Sequence, residues 1–92
     1  MSGEAMLIEA ARIIAERRVA YGHPASSMAA IAARWSVTLG TPVTPATVVL
    51  CLIDLKLARL AHDPAHGDSI TDIAGYAAAL REVITQHLQE GI

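Results

Sequence analysis

Glycine and proline cut this chain into helical pieces of similar length. The first run, "EAMLIEAARIIAERRVA", holds strong helix formers with apolar residues at helical spacing, which predicts a helix from about Glu4 to Ala20. "YGHP" ends it, with Gly22 as the stop and Pro24 just beyond. "SSMAAIAARWSVTL" predicts a second helix from about Ser26, its serine cap, to Leu39, with Gly40 behind it. In "TPATVV", Thr44 reads as a cap and Pro45 as the first helical residue of a third helix reaching about Ala61. A Pro/Gly/His loop follows, and Asp68 reads as the cap of a fourth helix running to about Gln89. No strand alternation or hairpin pair competes with this reading. The expected fold is all-α, one compact four-helix domain over residues 1–92 with short loops.

Composition limits the core of such a domain. Hydrophobic residues make up 53% of the chain, but aromatics only 3%, with no Phe. Small side chains bury little area each, so a four-helix core built from them is thin. The surplus of small apolar surface points to a homo-oligomer. Gly75 in mid-helix costs about 1 kcal/mol against Ala, which makes sense if another helix or a ligand comes close there. A net charge of -2 argues against a general partner for DNA, RNA or an acidic membrane. "ATVVLCLI" stops at Asp54, too short to span a bilayer. Glu4 and Glu9 stand where a secretory leader needs a basic start, and the single Cys51 has no internal partner, so a cytoplasmic location is expected.

Charges sit inside the most apolar segment. Val48 to Ile53 is apolar throughout, which predicts a turn buried on all sides with Cys51 as a core residue. At about 100° per residue, Lys56, Arg59 and Asp63 share a face with Leu52, and Asp54 projects from nearly the opposite side. Asp54 either meets an internal cation (Arg12, Arg17, Arg18 or Arg34) or lines a wet cleft. Lys56 and Arg59 repel each other three residues apart, and a shared anionic ligand explains them most simply. On the fourth helix Ile70, Ile73, Ala77, Leu80, Ile84 and Leu88 form a bulky stripe. Asp68, Asp72, Gly75 and Ala79 lie on its reverse, with Tyr76 beside them. Tyr21 and His23 next to Arg17 and Arg18 combine a flat ring, a donor and cations, which suits a base and a phosphate. Trp35 reads as core or interface. His62, Asp63, His66 and Asp68 look like metal ligands by type, but two histidines in a loop are more often polar loop residues.

Taken together, "RRVAYGHP", "IAARWSVTLGTPVTPATVVLCLIDLKLARLAHDPAHGD" and "SITDIAGYAAAL" resemble a set of small, mostly phage-encoded proteins of unassigned function. More remotely they are similar to MazG-type all-α nucleoside triphosphate pyrophosphohydrolases, helical oligomers that hold Mg²⁺ against nucleotide phosphates with paired acids. That likeness implies a metal-side role for Asp72 and phosphate contacts from Lys56 or Arg59. The chain departs from it in lacking any Glu-x2-Glu pair, and a hard ion such as Mg²⁺ needs several oxygen ligands.

The resulting expectation is an oligomer that binds a nucleotide-type phosphorylated molecule without turnover, in a phage a device for sequestering a host nucleotide immune signal. Its contacts are Arg17, Arg18, Tyr21, His23, Lys56, Arg59, Asp72 and Tyr76, with no catalytic residue and no cofactor. One alternative is a Mg²⁺-dependent pyrophosphohydrolase whose site, including any metal held by Asp68 and Asp72, is shared between protomers. Another is a structural or protein-binding helical module.

Overall fold

Each helix end follows from a particular side chain or a glycine. In the computed structural model, which describes the backbone of residues 1–90 and side chains through Gln86, α1 spans Gly3–Tyr21, α2 Pro24–Leu39, α3 Pro45–His62 and α4 Gly67–Glu90. Ser2 caps α1 by accepting from the backbone N–H of Ala5 at 3.1 Å. Gly22 (φ 82°) and Gly40 (φ 69°) close α1 and α2 in a region of positive φ that strains any residue with a Cβ. Thr44 caps α3 through the N–H of Thr47, with Pro45 at the first helical position as expected. Ser36 stitches the end of α2 to the next loop: its hydroxyl donates to the Ala32 carbonyl and accepts from the Val43 N–H at 2.9 Å.

Two caps differ from the sequence reading, and both are histidines. α2 starts earlier than expected, because His23 rather than Ser26 is its cap, with Nδ1 accepting from the Ala25 N–H at 3.0 Å. At α4 the cap is His66, not Asp68. His66 Nδ1 takes the Ser69 N–H at 3.2 Å and lies 2.7 Å from the Ser69 hydroxyl, while Asp68 is exposed in the first turn. The turn before it is set by Asp63, whose carboxylate accepts from the Ala65 N–H and whose carbonyl accepts from the His66 N–H. Asp63 and His66 are thereby committed to backbone geometry.

Helix α4 packs against all three other helices, most extensively α3, whereas α1 and α2 barely meet. The core is correspondingly sparse: among the described residues only Ala10, Ala32, Val48, Val49, Ser69 and Val83 are buried. The turn from Val48 to Ile53 is not enclosed on all sides as its composition suggested. Val48 and Val49 are fully buried, but Leu50 is 50% exposed and Cys51 is exposed. Its neighbours α2 and α4 cover only one side of α3, so the far side faces outward whatever its polarity. The bulky stripe expected on α4 is displaced for a similar reason. Ser69 and Val83 are the buried residues, Ile70 and Ile84 are about 40% exposed, and Leu88 lies outside the described side chains. Trp35 is half-buried in α2.

Ser69 is 1% exposed and relies on His66, so removing the imidazole deletes a cap and strands a buried hydroxyl. His66→Ala is expected to cost about 2 kcal/mol, whereas Asp68→Ala should stay within about 0.5 kcal/mol. Urea unfolding of both variants checks this. A larger loss at Asp68 than at His66 would contradict the cap assignment.

Candidate functional site

Because α1 and α2 diverge above α4, a cleft of about 340 Å³ opens between them. That volume falls at the lower end of the range of small-molecule sites. Its walls are apolar: Ile13 and Ile14 from α1, Met28 and Ile31 from α2. Its floor is the reverse face of α4, with Asp72, Gly75, Tyr76 and Ala79 at helical spacing. At the rim stand Arg17, Arg18 and Tyr21, from the C-terminal end of α1.

The glycine expected to admit a close neighbour has none among the described residues. A Cβ built on Gly75 meets nothing within 4 Å. The missing side chain keeps the cleft floor open.

Charge pairing decides which rim groups are available. Arg18 is bound to Glu82 of α4, clamping α1 to the floor helix. Arg12 lies between Glu9 and Glu16 on the outer face of α1, and its hydrogen bond to Glu9 holds that carboxyl below the usual carboxylate range. Asp54 therefore meets none of the arginines weighed as its partners; it is exposed on α3. Arg17 lines the cleft and has no partner among the described residues.

Lys56 and Arg59 do not converge on one anion. Lys56 Nζ lies 2.9 Å from Asp72 Oδ2, with both side chains mostly buried (14% and 26% exposed). Arg59, near the end of α3, is exposed. A helical wheel puts the two cations on one face, but α4 brings an acid against only the first. Asp72 thus joins the cleft floor to the α3–α4 seam. His23 lies apart, beside a second hollow with Thr44, Pro45 and Val83, and its Nδ1 is already used by the α2 cap.

The cleft therefore gathers Arg17, Arg18, Tyr21, Asp72 and Tyr76 from the expected contacts and leaves His23, Lys56 and Arg59 outside its lining. Sequence reasoning missed Glu82 and the isoleucine wall. Glu82 was traceable, since it continues the line of Asp72, Gly75 and Ala79 at helical spacing. Among the described residues no three His, Cys, Asp or Glu side chains converge as a metal site would require. The loop set His62, Asp63, His66 and Asp68 fails because two of its members serve the turn and the cap.

Residues 5–84 match the model of a domain of unknown function, DUF6378. The chain belongs to that family. It is 34% identical over 87 residues to the gene 55 protein of Mycobacterium phage D29, an alignment covering 94% of this chain and 58% of that one. It is 35% identical over 69 residues to the gene 55 protein of Mycobacterium phage L5, covering 74% and 44%. The chain thus spans about half the length of the curated relatives it matches. No solved structure matches it significantly. A family of unassigned function with phage members agrees with the resemblance drawn from the sequence, while no match is to a MazG-type enzyme. Among the described residues no helix is long and apolar enough to cross a membrane.

The Lys56–Asp72 pair is testable on its own. Lys56→Ala and Asp72→Ala should each cost about 2 kcal/mol, because each leaves a largely desolvated charge alone. The double variant should cost clearly less than the sum. Additive losses in a urea-unfolding cycle would mean that the two charges do not interact.

Proposed function

We propose that this chain binds a phosphorylated, nucleotide-type small molecule in the α1–α2–α4 cleft and holds it without turnover, acting as a homo-oligomer. The observation that carries this reading is the meeting of an open apolar cleft with an unengaged cation, Arg17, and two tyrosines, Tyr21 at the rim and Tyr76 on the floor. Apolar walls and phenol rings suit a flat base, and a guanidinium at the mouth suits a phosphate. Gly75 leaves room for the ring to lie against the floor helix.

Binding without hydrolysis is favoured by the acids. Phosphoanhydride cleavage of the MazG type needs Mg²⁺ held by several carboxylates. Asp72 faces the cleft but is tied to Lys56, and Glu82 is tied to Arg18. The remote MazG likeness fits this reading as a helical scaffold kept for nucleotides without the acid pairs. Relatives in two mycobacteriophages make sequestration of a host nucleotide signal a coherent role for such a binder. Self-association is supported by the many large apolar side chains left exposed, including Ile8, Val37, Leu50 and Leu57.

Calorimetric titration of a nucleotide and cyclic-nucleotide panel, with and without EDTA, tests the reading. Affinity should change less than about twofold in EDTA, and the ligand should be recovered intact. Arg17→Ala should weaken binding by about tenfold or more, the worth of a charge-assisted contact. Gly75→Leu should abolish binding with the fold retained, since its side chain enters open space. Mg²⁺-dependent release of pyrophosphate would overturn the binder in favour of a hydrolase completed by a neighbouring protomer.

A further inference from the structure

The outer face of α3 carries a pattern that no element of the chain uses. Cys51, Leu55, Ala58 and His62 follow one another at steps of four, three and four residues, the spacing of a seam between two helices. All four are exposed, and Leu55 is 50% exposed. Asp54 immediately precedes Leu55, and Arg59 immediately follows Ala58. They therefore flank the seam on opposite sides, about 140° apart around the helix, too far round to pair with each other. Both are exposed and neither has a partner among the described residues.

We infer that this face of α3 docks against the same face of a second copy, the two α3 helices running parallel and in register about a two-fold axis. In that arrangement the acid before one seam residue lies beside the base five residues further along the partner helix. Asp54 of each copy then meets Arg59 of the other, twice, and both stray charges are satisfied by symmetry. An antiparallel pairing puts the two on opposite sides of the seam and satisfies neither. Cys51 and Ala58 are small, which lets the helices approach closely.

The area agrees. The chain exposes 6282 Å² at a mass of 9.7 kDa, about 1,100 Å² more than the roughly 5,100 Å² typical of a folded monomer that size. A stable dimer needs about 800 Å² from each partner. The outer face of α1 is a poorer candidate despite Ile8 and Val19, because the Glu9–Arg12–Glu16 network already satisfies its charges in water. This inference rests on the self-association in the proposed function and names its surface.

Cys51, the sole cysteine, gives a direct test on the unmodified chain. Parallel, in-register packing brings Cys51 of the two copies within disulfide reach. Diamide should therefore convert the protein to a covalent dimer even at low micromolar concentration. Independently, Asp54→Arg and Arg59→Asp should each raise the dimer dissociation constant by about tenfold or more in sedimentation equilibrium, and the double swap should restore it. A wild-type monomer at high micromolar concentration would overturn both this inference and the oligomer in the functional reading. A dimer that neither cross-links through Cys51 nor responds to the charge reversals would overturn the α3 interface alone.

Discussion

Four helices close on one another only if bulky side chains fill every crossing; here aromatics are scarce, one Trp, two Tyr and no Phe, and many of the large aliphatic side chains point outward. The available volume goes to α4, where Val48 and Val49 of α3, Ala32 of α2 and Ala10 of α1 are buried in a sparse core. The space between α1 and α2 stays open although Ile13, Ile14, Met28 and Ile31 line it. The cleft, the exposed leucines of α3 and the excess surface accompany that sparse core.

Polar groups compensate where packing is thin. The Lys56–Asp72 pair fastens α3 to α4, and Arg18–Glu82 fastens α1 to α4. His66 and Ser69 fix the start of α4 through a buried hydroxyl and a backbone cap. Such interactions are directional, so they set where each helix sits while leaving the seam above α4 unfilled. Arg18 and Asp72 thereby have structural duties at the cleft, and Arg17 is left unengaged among the described residues.

Much of the fold was legible because helix ends are local events. Gly22, Gly40, Thr44 and Pro45 act as their residue types predict. The two histidine caps were not legible: Ser26 and Asp68 are better caps by type, and the choice turned on loop geometry that puts the cap at His23, three residues earlier, and at His66, two residues earlier. Of the site, the α4 face from Asp72 to Ala79 and the cluster of Arg17, Arg18 and Tyr21 were readable, since helical periodicity and adjacency bring them together. Which cation meets which acid was not. Lys56 and Arg59 look equivalent on a wheel, and only the contact with α4 separates them. The exposure of Cys51 was equally hidden, because an apolar run does not reveal how many of its sides have neighbours.

The most direct test of a ligand held in the α1–α2–α4 cleft is a backbone-amide NMR titration with the tightest-binding nucleotide of the panel. Binding there predicts chemical-shift changes concentrated at Arg17, Tyr21, Gly75 and Tyr76, with Thr47, Asp54 and Ala58 on the far side of α3 little altered. Changes centred on α3, or no saturable change with any nucleotide, would contradict it.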